Sequence, residues 1–308
     1  MHSAKIVHID ASTFQAPIRA LAETMALLVS REGNQSISAP AYTYADWFIL
    51  IRQARYTYDC LFYLHADERR QGEAGWRQEY TFVCAPLVRQ MIDDLYNITI
   101  LLEDPWKYGP LFRKSGYRKA LLNLDNEEAI YGKQPNWAAY IAEARKKIKF
   151  QLRLLRMTEA DVMDKKTNPD WKTLGKYVVR DKKKPYTPHQ QFLSTFTYGI
   201  WRGYSAISHG AFEGLMEVGA FFNRDGHRHE ERNILDSNFE RMMSLHIGRA
   251  ALILLCISTE VQAHFRFKSA NVNARILDNW DRLQLIQEAK EIYDDRYKQL
   301  MPTKGIRR

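Results

Sequence analysis

Apolar residues recur every three to four positions along most of the chain, and they rarely alternate with polar ones for the length of a strand. No Asn-Gly turn joins two apolar runs, so hairpins are not expected. The pattern predicts an all-α protein, with helices over 16–31, 44–67, 76–102, 111–124, 136–157, 190–209, 211–222, 236–265 and 274–300. Pro86 should kink the third helix or start its main part, and Asp104-Pro105 should end it. Gly210 is placed to cap the helix that precedes it. Two stretches break the periodicity. One is 158–188, which holds Asn168-Pro169, Gly175, Pro185 and Pro188. The other is the polar segment 223–233.

Long helices joined by short loops predict antiparallel packing. We therefore expect an antiparallel helical bundle over 1–308 as one unit. The core would be approximately 40–104 and 189–300, built from the helices at 44–67, 76–102, 190–209 and 236–265. The stretch from about 105 to 188 would be a lateral insertion, helical but partly irregular.

Charge changes this picture. The net charge is +9, and 14 Lys/Arg against 5 Asp/Glu fall between Arg145 and Tyr186, so the remainder of the chain is neutral. A basic excess gathered in one stretch suits RNA or another polyanion. Lys146, Lys147, Lys149, Lys182, Lys183 and Lys184 are the candidate contacts. The plainer reading is a solvated loop that aids solubility.

Composition narrows the setting. The most apolar run, Ala250–Ser258, is too short to span a bilayer, and the first residues lack the apolar core of a secretory signal. Cys60, Cys84 and Cys256 are odd in number and share no CxxC spacing, which argues against a disulfide framework or a zinc site. A cytoplasmic protein that does not engage a membrane is expected. His227-Arg-His229-Glu230-Glu231 matches no standard metal spacing, so neither metal nor cofactor is expected. Phosphate-loop, Gly-x-Ser-x-Gly and His-Glu-x-x-His patterns are missing, which disfavours nucleotide hydrolysis, the common serine hydrolase plan and zinc proteolysis.

One constellation bears on chemistry. Arg202, Ser205 and His209 stand at i, i+3 and i+7, on one face of a predicted helix. On the third helix Arg89 and Asp93 stand at i, i+4, where the carboxylate is placed to pair with Arg202 or to orient His209. Arg202 to His209 resembles the Arg-x(4–6)-His motif of HEPN proteins, whose domains are small helical bundles. Gly203 departs from the polar residue that usually follows the arginine. A broader likeness, through Arg89-x-x-x-Asp93, Leu-Leu-Glu-Asp-Pro and Tyr-Ser-x-x-Ser-His, is to an uncharacterised family of all-α bacterial proteins over roughly Tyr44 to Glu217.

The HEPN resemblance implies RNA binding or metal-independent RNA cleavage, a homodimer, and a setting in bacterial stress or phage defence. In that chemistry histidine moves a proton near neutral pH and arginine holds the scissile phosphate. Trp171, Tyr177 and Tyr186 are candidate surfaces for base stacking. Two alternatives stay open. The Arg-Ser-His face belongs to a buried polar network without chemistry, or the protein is a non-enzymatic interaction module whose basic stretch docks an acidic partner. His246 is expected to be a satisfied core or edge histidine.

Overall fold

A computed structural model describes residues 12–65, 76–179, 185–209, 229–268, 271–283 and 286–301, and among these no strand occurs. The helices are α1 (Ser12–Ser36), α2 (Ala41–His65), α3 (Trp76–Glu103), α4 (Pro105–Tyr131), α5 (Pro135–Leu154), α6 (Glu159–Met163) and α7 (Leu174–Tyr177). They continue as α8 (Pro188–Phe196), α9 (Arg202–Ser208), α10 (His229–Phe265), α11 (Val272–Leu283), α12 (Gln287–Ile292) and α13 (Lys298–Leu300). A π turn, Thr197–Trp201, joins α8 to α9, and a second, Tyr293–Tyr297, joins α12 to α13. The helices expected at 211–222 and the loop at 223–228 lie outside the described residues, as does the Lys182–Lys184 run.

Four long helices form the bundle in the ring order α1, α2, α3, α10. Ile18, Leu21 and Met25 of α1 meet Trp47, Ile51 and Tyr58 of α2, Val88, Met91 and Leu95 of α3, and Ile253, Leu254 and Ile257 of α10 in one buried core. The expected membership changes in one place. α1 closes the ring, and the segment expected there, now α8, the π turn and α9, packs against α3 instead. α1 wins that position because its apolar face is uninterrupted from Ile18 to Val29.

Ala250–Ser258 belongs to a longer stretch. Ser244–Phe265 is long and apolar enough to cross a membrane by length and mean hydropathy, but 78% of it is buried inside the protein. Its apolarity is that of a bundle's central helix.

Local rules set the boundaries the periodicity blurs. α4 begins at Pro105, where a missing N–H costs nothing, and Asp104 Oδ1 caps it by accepting from Lys107 N at 3.1 Å. α8 begins two residues before the expected start because Thr187 and Gln190 form a capping box ahead of Pro188. The 158–188 stretch holds two short helices, α6 and α7; Thr158 and Asp161 cap α6 in the same way.

α4, α5 and α6 form a smaller unit beside the bundle around Leu121, Leu152 and Val162. Arg118 ties it together. Its guanidinium is buried and donates to Val162 O at 2.7 Å, Asn168 O at 2.6 Å and Asp170 Oδ1 at 2.7 Å. At the other end, Gly109 lets α4 press on α2, since a Cβ there would lie 2.5 Å from Thr43 Oγ1.

Candidate functional site

Arg89, Asp93 and Asn97 follow one another at four-residue steps, so α3 presents all three to one side. That side opens on a cleft of about 650 Å³ between α3, α4 and residues 171–174. Phe112, Arg113, Gly116 and Tyr117 of α4 form the opposite wall, and Trp171 and Trp201 close the sides.

The polar groups are largely fixed before any ligand arrives. Trp201 Nε1 donates to Asp93 Oδ1 at 3.0 Å, and Trp171 Nε1 donates to Asn97 Oδ1 at 2.9 Å. The Arg89 guanidinium lies over the Trp201 ring, 5.3 Å from its centroid, an arrangement that combines stacking with cation–π attraction. Its Nε is buried without a partner. Arg113 grips Asp46 through Nε at 2.9–3.0 Å and Nη2 at 2.7 Å, and also donates to Tyr42 O at 3.2 Å. Burial pushes the Asp93 carboxyl above its ordinary range, against the Trp201 hydrogen bond and the Arg89 charge.

These bonds leave the outer guanidinium nitrogens of Arg89, the Asn97 amide nitrogen and Lys119 to address a ligand. Gly116 adds room: it sits inside α4, a position where glycine costs about 1 kcal/mol against alanine, yet a Cβ there would meet nothing within 4 Å. No packing within the chain accounts for it.

Comparison with known proteins was made by family, by sequence and by structure. No family model, no curated protein and no solved structure matches the chain.

The predicted site residues therefore divide. Arg89 and Asp93 share the cleft. Arg202 and His209 are exposed on α9, with Ser205 half-buried between them. Arg202 stacks on Tyr198 at 4.5 Å, and Asp93 is engaged by Trp201 instead of by Arg202 or His209. The π turn explains the division. The Arg202 N–H reaches back five residues to Thr197 O, so the side chains before and after it are out of ordinary α-helical phase.

The buried network on this helix is centred on a different residue. Tyr204 OH lies 2.7 Å from His246 Nδ1 and accepts from Arg249 Nη1 at 3.2 Å, while Arg249 Nε is 3.6 Å from Glu288 Oε2. With its oxygen receiving from Arg249, the Tyr204 hydroxyl donates to His246, which leaves the His246 proton on Nε2, where it is buried without a partner. Burial, helped by the Arg249 charge, pulls the His246 pKa down to about 4.

Lys146, Lys147 and Lys149 are exposed on α5. Lys147 and Lys149 approach Glu143 and Glu159 only at 3.9 and 3.7 Å. Of the aromatics expected to stack on bases, Trp171 packs against Phe112, Tyr108 and Tyr96, Tyr177 packs against Tyr96, and Tyr186 bonds to Val178 O. They are partly buried wall elements, not free platforms. Asp46, Asn97, Arg113 and Trp201 were not singled out for this site from sequence. The one local signal was Gly116, an isolated glycine inside a helical pattern. Among the described residues no cluster of metal-ligating side chains occurs.

Proposed function

We propose that this protein binds RNA, seating one unpaired nucleotide in the α3–α4 cleft while the α5 lysines hold the neighbouring backbone. The observation that carries this reading is Arg89 stacked on Trp201 at the edge of an open cleft. A guanidinium held flat against an indole is a preformed platform for a base, and its outer nitrogens suit a phosphate. α4 links the two parts, because Tyr117 lines the cleft and also packs against the α5 unit. Exposed lysines whose acidic neighbours stand near 4 Å keep most of their charge for a polyanion. The protein would act in the cytoplasm, and the three cysteines are free thiols, as a reducing compartment keeps them.

The test is fluorescence anisotropy with a single-stranded RNA at rising salt. Wild-type affinity should fall steeply with salt. Arg89→Ala should weaken binding about tenfold to a hundredfold, on the stacking scale of about 1–3 kcal/mol per base. Substituting Lys146, Lys147 and Lys149 together with Ala should flatten the salt slope. No binding at low salt, or wild-type affinity in Arg89→Ala, would rule the reading out.

A second reading, metal-independent cleavage of HEPN type, is favoured by the exposure of Arg202 and His209, which are open to a substrate instead of locked in a buried network. Cleavage in EDTA that survives His209→Ala in a folded protein excludes it. If RNA does not bind at all, the non-enzymatic interaction module becomes the working description.

A further inference from the structure

α2 carries its charges in an unusual place. All four, Asp46, Arg52, Arg55 and Asp59, are turned to its flanks and paired there. Asp46 binds Arg113, Arg52 and Arg55 reach Glu23 of α1 at 3.4 and 3.8 Å, and Asp59 takes Arg55 at 3.2 Å and also Arg19. The exposed positions of α2 are Ala41, Ala45, Ile49, Gln53, Tyr56, Cys60 and Tyr63, and none is charged. Ile49 is 55% exposed, Tyr56 47% and Tyr63 70%. At 100° per residue the seven fall within a sector of about 120°, in steps of three and four that make one continuous stripe. A helix on the surface of a soluble bundle ordinarily shows water its charges; this one shows aromatic and aliphatic groups.

We infer that this stripe is a two-fold interface, and that its occupant is the α2 stripe of a second copy of the chain. Charge decides the choice of partner. A strongly acidic or basic partner would find no countercharge along the stripe. A two-fold contact requires a surface complementary to itself. The stripe meets that condition, because it is neutral along its length and its border holds both signs, Arg52 and Arg55 beside Glu23 and Asp59. Tyr56, held under the Arg52 and Arg55 guanidinium groups at 5.3 and 5.0 Å, is a rigid aromatic of the kind that anchors interfaces. Size sets the strength. The stripe is about 33 Å long and roughly 10 Å wide, which gives a contact at the small end of specific interfaces, so the dimer is weak and forms in the micromolar range. This inference does not depend on RNA binding.

Sedimentation velocity over a concentration series tests it without RNA. The apparent mass of the full chain should rise from 36.1 kDa toward twice that value as concentration passes through micromolar. The double substitution Ile49→Glu, Tyr56→Glu sets like charges against each other across the axis and should weaken association at least tenfold. Ile49→Leu should leave it unchanged. Both changes are at exposed sites, so circular dichroism and melting should match wild type. A wild type that stays monomeric at hundreds of micromolar would overturn the inference. So would a folded double variant that associates as well as wild type.

Discussion

Asp94 is buried on α3, with one oxygen accepting from Gln90 Nε2 at 3.1 Å and the other without a partner. Burial, with the charge of Asp93 adding and the Gln90 bond opposing, pushes its pKa up to about 8. The folded protein therefore holds a proton there that the unfolded chain releases near pH 4. Unfolding gives up that proton, so this group's contribution to stability declines as pH rises from about 4 through about 8. Asp94→Asn should remove the decline. Its melting temperature should exceed wild type at pH 8–9, by on the order of 1–3 kcal/mol, and should converge with wild type near pH 4. His246 has the opposite sign. Its folded pKa lies below the unfolded value, so it costs stability as pH falls from about 6.5 to about 4. His246→Gln should flatten the wild-type slope in that window, as read by urea titration at each pH. Both effects are local desolvation, which no sequence pattern marks. His246 was expected to be satisfied, but only one of its two nitrogens has a partner.

Among elements, the two helical caps and the Arg118 anchor explain why a stretch read as loop is ordered. Arg118 lies on a helix of mixed composition, and nothing in its neighbourhood in sequence announces that it reaches carbonyls 44 and 50 residues away. Helix existence was legible because an apolar repeat summed over many residues outweighs local noise, as in α2 and α3. Helix ends were less legible, since they turn on single side chains such as Thr187. The split of the candidate site was not legible at all, because a π turn leaves no hydrophobic signature. Arg118→Ala should strand Val162 O and Asn168 O and cost about 3–5 kcal/mol. Limited proteolysis should then cut within 158–173 before the bundle opens. Arg118→Lys should not restore protection, since one ammonium cannot serve carbonyls and a carboxylate spread around a planar fork. Equal cleavage rates in wild type and Arg118→Ala would show that the segment is held by packing alone.

At the scale of the whole molecule, the bundle is a rigid support from which α3 addresses two neighbours. On one side it holds α4 and forms the cleft; on another it holds α8 and α9, which carry the exposed Arg202 and His209. The basic excess at 145–186 belongs partly to α5, on the side unit. A polyanion drawn there by long-range attraction meets α4 next, and then the cleft. Association should accordingly slow with salt more than dissociation quickens, which stopped-flow anisotropy on wild type and the triple α5 lysine variant can separate. Equal salt dependence of association in the two proteins would place the steering charge elsewhere.

The π turn before Arg202 also makes this helix a ruler whose length matters to a single residue. Removing Tyr198 would restore ordinary four-residue spacing to Thr197 O and give a more regular helix. It would also rotate everything after the turn by about 100° relative to everything before it. Phe192 and Phe196 on one side and Trp201 and Tyr204 on the other are all anchored inward, so both halves cannot keep their seats. A chain shortened by that one residue should fold with more helical order in this segment, and with Trp201 no longer meeting Asp93. Small deletions here are thus expected to be far more damaging than substitutions at the same exposed positions.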